Sequence, residues 1–166
     1  MNEVDIPGEL EKLHPDSFVW ALACCRRDRD DAADVLQASY LKVLEGKARF
    51  AGASSFKTFF FGVIVKTAAE HRRRRWLGRL RLDRWKRASA PPLPADPEQD
   101  ALRSSEAGRL LRALAGLPRR QRETLELVFS HDLTIEEAAA TLGISVGSAR
   151  VHYQRGKKRL AEVLGE

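Results

Sequence analysis

Apolar residues recur at helical rather than alternating spacing along nearly the whole chain, so the predicted elements are helices. From Ser17 to Cys25, Phe18, Leu22 and Cys25 fall on one face. A polar turn over 26–31 leads into a second helix with Leu36, Tyr40, Val43 and Leu44 at core spacing, ending near Gly46. Its other face offers Asp31, Asp34, Gln37 and Lys42. After a loop from Arg49 to Ser55, a third helix is expected to bury Phe56, Phe59, Phe60, Val63 and Ile64 and to run out through Glu70 to Trp76. The pattern lapses from Ala88 to Asp100, where four prolines remove amide donors and favour extended backbone, which reads as a semi-rigid linker. Beyond it, Leu102, Leu110, Leu111 and Leu114 mark a helix, and Leu117-Pro118 opens another carrying Leu125, Leu127, Val128 and Phe129. The expected architecture is all-α: two small helical domains, 1–87 and 101–166, joined by a linker at 88–100.

The strongest local signal lies between Leu133 and Arg150. Thr134 is a good N-cap and Glu137 stands three residues on, the reciprocal arrangement that satisfies two orphan amides. Gly143 follows Leu142, where a left-handed backbone ends a helix at little cost. Ser145 then caps a second helix bearing Arg150, Arg155, Lys157, Lys158 and Arg159, while Ala138 and Ala139 permit a close crossing. A helix-turn-helix with so basic a second helix is a candidate for the major groove. By that geometry Ser145, Val146, Gly147, Ser148, Arg150, Val151 and Gln154 face base edges, and Arg155 with the later cations meets phosphates.

Charge agrees with a polyanionic partner: Lys and Arg total 29 against 23 acids, a net +6 over 166 residues. From Arg72 to Arg87 there are eight Arg and one Lys against the single acid Asp83. This tract follows a helix bearing Phe56, Phe59, Phe60 and Phe61, of which one or two are candidates to stack on unpaired bases. The two cysteines, Cys24 and Cys25, are adjacent and read as small core residues. No glycine loop cradles a nucleotide, and the four histidines lack ligand spacing, so neither an enzyme nor a cofactor or metal site is expected. The amino-terminal segment has no basic-then-apolar signal pattern and no apolar run reaches membrane length, so a cytoplasmic location is expected.

Taken in order, these motifs resemble a bacterial RNA polymerase sigma factor of the extracytoplasmic-function (group 4) class. Asp31 to Leu44 is similar to the region 2 helix that docks on the polymerase clamp helices. Arg49 to Phe59 resembles the loop and helix start that capture an unpaired promoter base, and Val63 to Arg75 resembles the helix that follows the −10 element. Leu117 to Leu164 is similar to region 4, which reads the −35 element and rests on the polymerase flap. The chain departs from the pattern in having only about sixteen residues before Ser17, which implies a trimmed first domain. Gly156 interrupts the basic helix, where a fray or bend is expected.

The resemblance implies a protein that binds core polymerase and directs promoter-specific initiation without a cofactor. Core contacts would come from Asp31, Asp34, Gln37 and Lys42. The −10 element would meet Arg49, Phe50, Ser54, Ser55, Lys66, Glu70, Arg72, Arg73 and Arg74. The −35 element would meet Ser145, Val146, Ser148, Arg150, Val151, Gln154 and Arg155. Implied partners are core RNA polymerase through its clamp helices and flap, promoter DNA, and an anti-sigma factor as a further candidate, with no membrane contact. A stand-alone dimeric helix-turn-helix regulator, or an adaptor using its basic tract on a membrane surface, remains open from the residues alone.

Overall fold

Seven helices account for most of the computed structural model, which describes residues 3–83 and 104–165. The linker expected at 88–100, and Leu102, lie outside the described residues. The first helix, α1 (Ile6–Cys24), starts at Asp5, whose carboxylate accepts the amide of Gly8 at 3.2 Å. It is therefore longer than the apolar pattern from Ser17 suggested, and Leu10 joins the core. Pro15 sits inside this helix and masks its continuity in the sequence. The buried face is Leu10, Ser17, Trp20, Ala21, Ala23 and Cys24, while Phe18, Leu22 and Cys25 only flank it.

Arg26 and Arg27 take left-handed backbone angles and turn the chain into α2 (Arg29–Leu44), capped by Asp28. Ala32, Val35, Leu36, Ser39 and Val43 face inward; Leu44, expected in the core, is exposed. The long α3 (Phe56–Asp83) begins where Ser55 Oγ accepts the amide of Thr58 at 3.1 Å. Phe56, Phe60, Phe61 and Ile64 are buried against α1 and α2, and the Trp20 indole donates to the Phe61 carbonyl at 3.1 Å. Phe60 and Phe61 are fully enclosed and Phe59 is half-buried against Phe50 and Phe56, so none of the four phenylalanines stands free for a base.

The second unit comprises α4 (Glu106–Ala115), α5 (Arg119–Phe129), α6 (Ile135–Leu142) and α7 (Val146–Leu164). In α4 the buried residues are Gly108 and Ala113; Leu110 and Leu111, which mark this helix in the sequence, are exposed. Both halves of the reciprocal cap are present at α6, with Thr134 Oγ1 accepting the Glu137 amide at 3.1 Å and Glu137 accepting the Thr134 amide at 2.8 Å. Gly143 closes α6 at φ +66°. Ala149 is fully buried in the crossing between α6 and α7.

At Gly156 the helix does not fray: α7 continues to Leu164, and Gly156 is buried. A Cβ there would lie 3.0 Å from Leu125 Cδ1, so the missing side chain lets α7 close onto α5. The two units share one hydrophobic core among the described residues. Leu127, Leu133, Ala138 and Leu142 of the second unit are contiguous with Trp20, Phe61 and Ile64 of the first.

Candidate nucleic-acid interface

The helix-turn-helix presents the side chains expected on base edges. Ser145 Oγ accepts the amide of Ser148 at 3.1 Å and donates to its hydroxyl at 2.9 Å, so the cap orders the start of α7. Ser145, Ser148, Arg150, Val151, Gln154 and Arg155 are exposed, and Val146 is half-buried. Arg150 reaches back to Glu136 of α6 at 3.3 Å. Both side chains are more than half exposed, so this pair holds the guanidinium weakly and leaves it available.

On the first unit, Arg49 and Ser54 are exposed in the loop, with Arg49 Nε donating to the Gly46 carbonyl at 3.2 Å. Ser55 Oγ caps α3, and the half-buried Phe50 ring packs edge-on against Phe56 at 5.3 Å. Lys66, Glu70, Arg73 and Arg74 line the exposed side of α3. Glu70 accepts from Lys42 Nζ at 2.7 Å, and Lys42 also donates to Thr67 Oγ1 at 3.0 Å. Arg72 departs from expectation: it turns inward, half-buried, and donates to the Cys24 carbonyl at 3.0 Å. Burial and the nearby Arg119 lower its pKa, while Glu123 of α5 opposes them.

The residues expected to meet polymerase divide in two. Asp31 is engaged within the unit, accepting from His71 Nε2 at 3.1 Å and from Arg75. Partial burial would raise its pKa, but those two hydrogen bonds outweigh it and hold the carboxyl below its ordinary value. Lys42 is likewise tied to α3. Asp34 and Gln37 remain exposed on α2, and Leu41 and Leu44 continue the same face at 49% and 58% exposure. Sequence reasoning missed the two leucines because it placed Leu44 in the core; their spacing from Asp34 and Gln37 is the signal that identifies one mixed polar and apolar stripe.

Among the described residues no helix is long and apolar enough to cross a membrane. No cluster of three or more His, Cys, Asp or Glu side chains could hold a metal ion there.

Two family models match in chain order: Sigma-70 region 2 over residues 11–78 and Sigma-70, region 4 over residues 107–160. The chain is 33% identical over 138 residues to the RNA polymerase sigma factor CarQ of Myxococcus xanthus, covering 81% of this chain and 75% of that protein. It is 30% identical over 158 residues to the ECF RNA polymerase sigma factor ShbA of Streptomyces griseus, covering 91% and 83%. In fold it resembles the sigma factor RpoE of Bartonella quintana, solved in complex with the anti-sigma factor NepR, with a TM-score of 0.75 over 97% of both chains at 24% identity.

Proposed function

Because the chain belongs to the extracytoplasmic-function family of RNA polymerase sigma factors, we propose that its exposed surfaces divide the work of promoter-specific initiation among three sites. As a member of that family it acts with core RNA polymerase on promoter DNA. The stripe of Asp34, Gln37, Leu41 and Leu44 on α2 docks on the clamp helices, its polar end setting orientation and its leucines supplying apolar burial. Arg49, Ser54 and Lys66, with Arg73 and Arg74 further along α3, engage the −10 region as its strands separate. Ser145, Ser148, Arg150, Val151 and Gln154 read the −35 region, with Val146 and Arg155 at its margin.

The observation that carries this reading is the capped α6–turn–α7 unit, whose exposed face is polar and basic, on the same chain as the arginine-lined side of α3. Duplex reading by one surface and strand capture by the other both call on exposed cationic and polar side chains, and each surface carries them. A stand-alone dimeric regulator is not favoured, since two matched regions stand in the order a two-part promoter reader needs. The protein works in the cytoplasm, where polymerase and promoter are, and makes or breaks no bond itself. An anti-sigma partner fits the likeness to a sigma factor captured with one.

Run-off transcription from genomic fragments, using core polymerase with and without the chain, tests the reading. Promoter-specific transcripts should appear only with the chain. Arg150→Ala should lower them about tenfold while co-purification with core stays unchanged, the discrimination one bidentate arginine–guanine pair supplies. Loss of core association in that variant would remove Arg150 from the DNA face.

A further inference from the structure

Away from the residues assigned to DNA and polymerase, the α1–α2 turn and the α4–α5 corner enclose a cleft of about 480 Å³. Four arginines line it: Arg26 and Arg27 from the turn, Arg119 and Arg122 from the start of α5. Leu111 and Leu114 of α4, with Leu117 and Pro118, supply an apolar wall. The volume is that of a small-molecule site. None of these residues belongs to the surfaces that read the promoter or dock on polymerase.

The positive charge in this cleft is only partly neutralised by the protein. The buried Glu126 carboxylate accepts from Arg27 at 2.8 Å. The buried Glu123 pairs with Arg120 at 2.9 Å and with Arg119 at 3.5 Å. Arg26 and Arg122 make no ion pair and no side-chain hydrogen bond among the described residues. Arg122 is half-buried, so its charge is partly withdrawn from water with no carboxylate bonded to it. The crowding reaches Arg72, whose pKa is lowered by burial and then by Arg119. Arg26 and Arg27 also hold consecutive left-handed backbone angles, at φ 52° and 65°, which costs energy in residues other than glycine. That strained turn places two of the four arginines at the cleft.

Cations on a convex surface are satisfied by water, whereas a concave site with low-dielectric walls focuses their field on an anion. Planar guanidiniums pair bidentately with phosphate oxygens. Two unpaired ones, contributed by different elements, suit a ligand with more than one phosphate. The apolar wall suits a ligand whose remainder is not charged. We propose that this cleft binds a small organic diphosphate, with Arg26 and Arg122 on its phosphates and Leu111 and Pro118 against its apolar body. Guanidiniums do here what a glycine loop does in other nucleotide sites, so no nucleotide-binding pattern marks the sequence.

ADP is the probe. Isothermal titration into the full chain at about 0.15 M salt, where general attraction is screened, should show saturable one-to-one binding. ADP should also raise the Tm of the wild-type chain. Arg26→Gln with Arg122→Gln should weaken binding about tenfold or more, as expected for lost hydrogen bonds to charged groups. Arg73→Gln with Arg74→Gln removes the same charge from α3 and should change ADP affinity less than about twofold. Inorganic pyrophosphate, which has no apolar body, should bind about tenfold more weakly than ADP. Leu111→Asp, at a position 39% exposed, sets a carboxylate in the cleft and should abolish ADP binding with helicity unchanged by circular dichroism.

Absence of saturable binding to the wild type would overturn the site. An equal loss in the two α3 substitutions would do the same, by showing only the attraction of a basic chain for an anion. Pyrophosphate binding as tightly as ADP would overturn the role of the apolar wall. None of these results bears on run-off transcription, which reports the promoter-reading function separately.

Discussion

At the level of single residues, the structure assigns several side chains a place that spacing alone does not. His131 looks isolated in the sequence, yet it is 2% exposed at the junction of the two units. Burial, then the charge of Lys57 and that of Arg27, push its pKa from 6.5 to about 4, against the pull of Asp16 and Asp132. The folded state therefore holds it neutral. Its contribution is complete above the unfolded value of 6.5 and is lost as pH falls toward about 4, because the unfolded chain takes up the proton first. The loss amounts to at most about 3 kcal/mol. Thermal unfolding across that window should show a steeper fall in Tm for wild type than for His131→Phe; identical slopes would remove the imidazole from the acid sensitivity. Gly156 teaches a related lesson. A glycine in a basic helix reads as a weak point, but its lack of a Cβ is what admits Leu125 and Gln121 of α5.

Whole elements were legible where local chemistry decides them. The Thr134–Glu137 box, the left-handed Gly143 and the Ser145 cap are satisfied within a few residues, and all three stand as the sequence implied. The start of α1 was not read from the sequence, because Pro15 interrupts the apolar pattern, although Asp5 caps the helix locally and Leu10 packs into the core. Faces of α2 were half legible. Its acidic and polar positions were identified, but which of them are free depends on α3, which takes Asp31 through His71 and Arg75 and takes Lys42 through Glu70 and Thr67. This divides the expected effects of substitution. Leu41→Asp with Leu44→Asp should weaken core polymerase binding about tenfold or more, close to 1.4 kcal/mol, in a competition assay, with helicity retained. Asp34→Ala with Gln37→Ala should act in the same direction. Asp31→Ala should instead lower thermal stability and leave core affinity nearly unchanged; strong loss of affinity there would return Asp31 to the interface.

For the whole molecule, the shared core has a thermodynamic consequence. Trp20, Phe61 and Ile64 on one side and Leu127, Leu133 and Leu142 on the other are buried by one another, so neither unit retains its full burial when the other unfolds. The wild-type chain should unfold in one calorimetric transition. Two transitions in wild type would show that the junction contributes little. A net charge of +6 supplies long-range attraction to DNA.

The sequence alone determined what depends on near neighbours: an all-helical chain, the caps and turn of the helix-turn-helix, the arginine tract, and the order of two motif sets that marks the family. Only the tertiary structure decided what depends on distant partners. Asp31, Lys42 and Arg72 are chemically suited to a macromolecular contact, and each is engaged inside the protein by residues 25 to 48 positions away. Leu44 is apolar yet exposed, and the lone His131 closes the junction between units. The physical reason is that capping and periodicity are satisfied within a turn or two of helix, whereas burial and charge pairing are set by whichever segments the fold brings together.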